Sequence, residues 1–92
     1  MKLLGLDVGD RRIGVAVSDA TGLIATPLEI VHRTSRVQDF RRIASLLREQ
    51  QAGGLVVGHP LNDDGSASAQ AQRIERYVAT LAEALRAEGL DV

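Results

Sequence analysis

The chain has 92 residues, of which 45% are hydrophobic and 25% are charged, and its formal net charge is -1. These values are typical of one globular domain and exclude a disordered or fibrous protein. No apolar run approaches the roughly 20 residues of a membrane-spanning helix, and the N-terminus does not fit a signal peptide, so a cytoplasmic location is expected. Because the chain has no cysteine, any metal would need oxygen or histidine ligands.

The first third of the sequence predicts three β-strands. Leu3 to Val8 is apolar except for Asp7, a pattern that predicts a central strand covered on both faces. A short Gly/Asp link leads to a second strand at Ile13 to Val17, which favours an antiparallel hairpin. Leu23 to His32 is predicted as a third strand, and Pro27 places it at a sheet edge or beside a bulge.

A helix, a strand and a second helix are predicted next. Ser35 can cap the first helix, which is predicted to end at Gly53-Gly54. The run Leu55 to Gly58 predicts a short, buried strand parallel to the first one. The second helix is predicted to begin near Ser66 or Ser68. Leu90-Asp91-Val92 is predicted to be the start of another strand. Gly89 is the predicted stop of that helix. The apolar stripes of the two helices are predicted to consist of Val37, Phe40, Ile43, Ala44 and Leu47, and of Ile74, Tyr77, Val78, Leu81 and Leu85.

Asp7 is the most informative residue for function. A charged carboxylate inside an apolar strand is costly unless it is hydrogen-bonded, ion-paired, protonated or metal-bound. Glycines on both sides of it in sequence leave room for an ion and a phosphate to approach the backbone. A structural role, in which Arg11, Arg12 or a turn amide satisfies the carboxylate, is the alternative. One strand carboxylate is also not a complete metal site.

Several other polar residues allow both a functional and a structural interpretation. Asp10 and Asp19 lie in predicted turns, where side-chain bonds to the backbone favour a structural role. Arg12 could contact a phosphate or pair with Asp7. His59, in the loop after the predicted parallel strand, could contact a phosphate or transfer protons, although a solvated loop histidine is the commoner case. The loop from His59 to Ser66 lies where ligands gather in open α/β sheets, but its Asn62-Asp63-Asp64-Gly65 run is also ordinary turn chemistry.

Two segments, Gly5 to Asp19 and Val56 to Ser66, together resemble the signatures of the YqgF/RuvX family. The resemblance covers essentially the whole chain. It implies an α/β, RNase H-like fold related to the RuvC resolvases, with a mixed sheet. It also implies nuclease chemistry that depends on Mg²⁺ or Mn²⁺. The implied nucleic-acid substrate is either the pre-16S rRNA, processed at its 5′ end, or a four-way Holliday junction.

The resemblance can be carried over by position. The catalytic and metal-binding aspartate falls on Asp7. The positions expected to contact the substrate are Gly9, Arg12, Gly14, His59 and Asn62. His59 stands where the family commonly has a leucine, and Asp63 where it commonly has a methionine. The other matching positions are Gly5, Ser18, Asp19, Pro60, Leu61, Asp64 and Gly65.

The family pattern continues into features that this sequence does not contain before Val92. These are a further strand, an Asp-Glu-Arg-x-Thr-Thr segment and a final helix with another acidic residue. A single domain over residues 1–92, incomplete at its C-terminus, is therefore expected. If these residues are the whole molecule, weak metal binding and little cleavage are expected, and the uncovered sheet edge favours a homodimer.

Two other classes of function stay open on the sequence. The chain could be a catalytically inactive fragment that binds nucleic acid or dimerises. An actin-like or sugar-kinase-like ATPase also opens with a Gly-x-Asp-x-Gly strand, but such proteins close two domains around the nucleotide, and 92 residues supply less than one of them. No base-reading motif distinguishes an RNA substrate from a DNA junction.

Overall fold

The computed structural model describes residues 1–21, 25–59, 64–66 and 68–90. In chain order the elements are β1 (Leu3–Val8), β2 (Arg12–Ser18), β3 (Ala25–His32), α1 (Arg36–Gln50), β4 (Gly54–Val57) and α2 (Ala69–Ala87). The sheet order is β3-β2-β1-β4, in which β1 and β4 are parallel and the other neighbours antiparallel. The predicted α/β architecture with a mixed sheet is confirmed. Predicted strand residues at 23–24 and 91–92 lie outside the described ranges.

Both described helices cover the same face of the sheet, and no other described element covers the opposite face. Leu4, Leu6 and Val8 of β1 are buried against α1 and α2, whereas Asp7 between them is exposed. Side chains alternate between the two faces of a strand, and both helices pack on the same face. The prediction that β1 is covered on both faces is therefore wrong. The predicted burial of β4 is wrong for the same reason, since Val56 is 53% exposed.

The two helices begin at the predicted caps. The hydroxyl of Ser35 accepts a hydrogen bond from the Gln38 amide at 3.2 Å, and that of Ser68 accepts one from the Ala71 amide at 3.0 Å. Gly89 follows α2 with a φ of 81°, as expected of a helix stop. None of the described helices is long and apolar enough to cross a membrane.

Two details of α1 differ from the prediction. Val37 is 60% exposed, because at about 100° per residue it lies at the margin of the stripe centred on Ile43 and Leu47. The helix ends at Gln50 instead of the glycine pair, since Gln51 adopts the left-handed conformation and its N–H bonds back to the last turn. Gly54 belongs to β4. The predicted stripe of α2 is confirmed, with Val78 only partly buried.

Strand β3 lies at the sheet edge and is irregular at the predicted place. Val15 pairs with Glu29 and the next residue, Ala16, pairs with Pro27, so Leu28 is an extra residue on β3. Proline has no amide hydrogen for a ladder bond, which explains both the edge position and the bulge. Both parts of the prediction for Pro27 are confirmed.

A charged pair ties β3 to α1. The Nε of Arg42 donates to Oε2 of Glu29 at 2.8 Å, and its Nη2 donates to Oε1. This two-point contact is the strong geometry for a guanidinium and a carboxylate. The hydrogen bonds from Arg42 hold the pKa of Glu29 below its ordinary value.

We expect Glu29→Gln to lower the free energy of unfolding at pH 7, with a deficit that shrinks in acid. A carboxylate whose pKa is lowered by folding stabilises the protein above its unfolded pKa, here near 4.5, and loses that contribution as the pH falls through the lower folded value. Urea unfolding followed by circular dichroism, at neutral pH and below pH 4.5, measures both deficits. Glu83→Gln, at an exposed residue of α2, is the control. A deficit equal at both pH values would contradict the prediction.

Candidate functional site

Asp7 lies on the uncovered face of the sheet, near the carboxyl end of β1. Its cross-strand partner on β2 is Gly14, and a Cβ atom placed on Gly14 would lie 3.6 Å from the Cβ of Asp7. The glycine thus leaves open space beside the carboxylate. The sequence argument that burial forces Asp7 to be paired is wrong, because the side chain is exposed and water can solvate it.

The structural alternative for Asp7 is also not observed. Within the described ranges, neither Arg11 nor Arg12 forms an ion pair with it. A hydrogen bond from a turn amide to the Asp7 carboxylate is likewise not found among these residues. In this part of the chain the exposed carboxylate has no protein partner, and a carboxylate in that state can bind an external cation.

An open cavity of about 500 Å³ surrounds Asp7 and the β1–β2 turn. Its lining residues are Asp7, Gly9, Asp10, Arg11, Arg12, Gly14 and Ile30. Three of the predicted substrate-contacting positions therefore share one cavity with the predicted catalytic residue. Towards the middle of the sheet the same face continues as a shallow apolar groove, lined in part by Gly5, Ala16 and Val56.

Gly9 sets the shape of the turn between Asp7 and Arg12. Its N–H donates to the carbonyl of Arg12 at 2.9 Å, and a Cβ atom added to it would lie only 2.9 Å from that oxygen. The turn is also held from outside, because Nη1 of Arg33 donates to the Gly9 carbonyl at 2.7 Å. Glycine is required here because the turn folds back on itself.

The structure does not bring His59 to the Asp7 cavity. Its Nε2 lies 2.7 Å from Oε1 of Glu75 on α2, and both residues line a different depression beside β4. Asn62 lies outside the described residues. Asp64 is engaged in a local turn, since its Oδ1 accepts from the amide of Ser66 at 2.9 Å and from its hydroxyl at 2.6 Å. These bonds lower the pKa of Asp64, and Gly65 follows with a φ of 84°, as the turn chemistry predicted.

The other two aspartates of the first signature behave differently from each other. Asp19 accepts a hydrogen bond from the hydroxyl of Thr21 at 2.7 Å, which fits the structural role expected for it. Asp10 is exposed at the rim of the Asp7 cavity, and the turn-stabilising bond expected of its side chain is not found within the described ranges. In that same part of the chain, no group of three or more His, Asp or Glu side chains is placed to hold a metal ion.

Residues that the sequence did not single out lie on the other side of the β1–β2 turn. Arg73 and Arg76 of α2 meet Arg33 and Arg36 around Tyr77. Their spacing of three residues, beside the buried stripe of α2, was the available signal. A stripe predicted from apolar residues alone does not include them.

The comparison with known families decides the assignment. The family model described as RuvX, Holliday junction resolvase, matches residues 1–91. This chain belongs to the RuvX family. The resemblance to the YqgF/RuvX family is thereby confirmed, and so is the expectation of a nuclease family. The mixed sheet with two helices is consistent with part of an RNase H-like fold.

Curated RuvX relatives carry the name "Putative pre-16S rRNA nuclease". One from Thermoanaerobacter pseudethanolicus is 44% identical over 84 residues, which are 91% of this chain and 60% of that protein. One from Synechococcus sp. strain JA-3-3Ab is 49% identical over 85% of this chain and 49% of its own length. A third, from Trichormus variabilis, is 47% identical over 90% of this chain and 55% of its own length. The RuvX chain thus spans about half to three-fifths of the relatives that it matches.

We expect Gly9→Ala to destabilise the protein by about 1–3 kcal/mol, because the added methyl group must push the Arg12 carbonyl away and strain the turn. Gly58→Ala is the matched control, since the nearest atom to its added Cβ is 3.9 Å away. That variant should change stability by less than about 1 kcal/mol. Urea unfolding of the three proteins measures the difference. Equal stabilities of the two variants would show that the turn does not require glycine at position 9.

Proposed function

We propose that this chain carries the Asp7 side of a nuclease site that hydrolyses phosphodiester bonds. The exposed, unpaired carboxylate of Asp7, with Arg12 in the same cavity, is the observation that carries the proposal. Membership of the RuvX family and the nuclease names of the relatives support it. Because the chain covers only part of each relative, the activity is proposed for the protein to which these residues belong.

In this proposal Asp7 is a ligand and Arg12 is a phosphate contact. The glycines beside Asp7 keep the backbone accessible, so a phosphate can approach without meeting a side chain. The guanidinium of Arg12 is exposed at the rim of the same cavity and would position the nucleic-acid backbone. Such contacts fix the register of the substrate but carry no base sequence.

The donor chemistry of Asp7 fits a hard divalent cation such as Mg²⁺ or Mn²⁺, because these ions prefer carboxylate oxygen. The number of donors does not suffice, since the described residues give no cluster of three ligands. A divalent cation, when bound at such sites, activates water and offsets charge on the phosphodiester. We therefore assign Asp7 one ligand position.

The substrate that we propose is the precursor of 16S rRNA, following the name of the relatives. The family description, Holliday junction resolvase, makes a four-way DNA junction the alternative. Both present phosphates to an acidic site, and the residues around Asp7 favour neither.

A non-catalytic, nucleic-acid-binding or dimerising role is the second candidate. The observation in its favour is the shortage of acidic ligands near Asp7 within the described ranges. A protein of this kind would keep the phosphate contacts and bind RNA without cutting it.

We expect Asp7→Asn to abolish Mn²⁺-dependent cleavage of 5′-extended 16S precursor RNA by the protein to which these residues belong. The loss should be at least about 100-fold, since even outer-shell partners of metal sites contribute about 10- to 100-fold. Asp10→Asn is the matched control, because it makes the same chemical change at an exposed residue of the same cavity, and it should retain most of the activity. A four-way DNA junction is assayed in parallel.

The outcomes separate the candidates. Equal cleavage by the parent and Asp7→Asn proteins would contradict the role of Asp7. Preferential cleavage of the junction would replace the RNA substrate with DNA. RNA that is retained by the parent chain but left intact would favour the binding role over catalysis.

A further inference from the structure

A cavity of about 250 Å³ lies on the helix side of the sheet, at the carboxyl end of β1. It is bounded by the β1–β2 turn and by the N-terminal halves of α1 and α2. We call it the arginine pocket, after Arg33, Arg36, Arg73 and Arg76 in its lining. It is distinct from the Asp7 cavity, although Gly9 and Asp10 line both.

The arginine pocket holds four guanidinium groups and one carboxylate, that of Asp10. In the described part of the chain none of the four arginines forms an ion pair, while Arg42 and Arg48 elsewhere do. Arg33 donates a hydrogen bond to a backbone carbonyl, that of Gly9, and its guanidinium lies over the Tyr77 ring. The four arginines outnumber the nearby acids, which are Asp10 in the lining and Asp39, whose charge acts on Tyr77. An excess of like charge destabilises a fold, so this cluster is better explained by a ligand of opposite charge than by stability.

The position of Arg36 strengthens this interpretation. Arg36 is the first residue of α1, where the positive end of the helix dipole disfavours a cation. The same dipole and the first amides of the helix favour an anion. The charge and the helix end therefore point to the same kind of ligand.

Tyr77 supplies an independent observation. It lines the arginine pocket and is only 3% exposed, yet its hydroxyl has no hydrogen-bond partner in the described structure. Its ring is fixed, because Phe40 meets it edge-on at 5.3 Å and the Arg33 guanidinium lies 4.9 Å from its centre. Burial raises the pKa of the phenol, so the hydroxyl keeps its proton. A buried donor without an acceptor is costly, and an anionic ligand would provide the acceptor.

We propose that the arginine pocket binds a backbone phosphate of the polynucleotide, at a position away from the bond that is cut at Asp7. Guanidinium groups bind phosphate through paired N–H donors. The shared turn at Gly9 and Asp10 separates the two cavities, so one strand that crosses the sheet edge over this turn would reach both. This rests on the proposed nucleic-acid substrate and adds a positioning site for it.

The test measures binding of a short, fluorescein-labelled single-stranded RNA by fluorescence anisotropy over a range of salt concentrations. All proteins carry Asp7→Asn, so that the RNA is not cut. The pocket variant is Arg73→Gln with Arg76→Gln. Its control is Arg41→Gln with Arg86→Gln, which removes the same charge from exposed residues on α1 and α2 that do not line the pocket.

The pocket variant is expected to bind RNA roughly tenfold or more weakly, whereas the control changes little. The slope of log affinity against log salt should fall by about 0.7 for the pocket variant, because the pocket is proposed to neutralise one phosphate and each such phosphate on a single strand contributes about 0.7. Equal losses in the two variants would show an effect of net charge and overturn the proposal. Unchanged binding by both would overturn it as well.

Tyr77→Phe gives a signature that a structural role would not produce. Removing an unpartnered buried hydroxyl should leave the urea midpoint unchanged or raise it, while RNA affinity falls. Unchanged affinity would overturn the contact with the hydroxyl. A stable variant with weaker binding would support it.

Two further measurements are made. The first distinguishes free phosphate from the phosphate of a polynucleotide, and the second distinguishes the pocket proposal from the nuclease proposal. If inorganic phosphate binds the parent chain but RNA affinity does not depend on Arg73 and Arg76, the pocket takes a free anion and the polynucleotide proposal is wrong. If the protein to which these residues belong binds RNA through the pocket but cuts none, the result supports this inference and contradicts the nuclease. If the parent protein cuts RNA and the pocket and control variants bind RNA equally well, the result supports the nuclease and contradicts this inference.

Discussion

The placement of both helices on one face of the sheet is the constraint on which the rest of the structure depends. Because strand side chains alternate, covering one face buries Leu4, Leu6 and Val8 and turns Asp7 outward. The same alternation exposes Val56 on β4. The core and the candidate site thus lie on opposite faces of one strand, and the residues that stabilise the fold are not those that would meet a ligand.

The β1–β2 turn connects these two faces. Gly9 closes the turn on the Arg12 carbonyl, and Arg33 holds the turn from the helix side. Asp7 and Arg12 therefore have a fixed relation to each other, and the turn has a fixed relation to the helix N-termini. A ligand bound on one side of the turn therefore lies at a defined position relative to the cavity on the other side.

The sequence was sufficient for the element order and for the position of Asp7, because both follow from local patterns. The prediction that Asp7 is buried was wrong. Glycines such as Gly5 and Gly14 bury almost no surface, so their presence does not show whether a second layer covers this face of the sheet. The helix caps at Ser35 and Ser68 were predictable because capping is a local hydrogen bond. The arginine pocket was not, because Arg33 and Arg36 are distant in sequence from Arg73 and Arg76 and only the chain fold brings them together.

The bare face around Asp7 has one more consequence, which concerns the dielectric environment. The carboxylate is exposed to solvent, where a single ion pair with a cation is weak. Its flanks are Ile30 and the apolar groove towards Val56, so a layer laid over this face would exclude that water and strengthen every charge interaction beneath it. The affinity of Asp7 for a cation is then set less by its own strand than by whatever shields it from solvent.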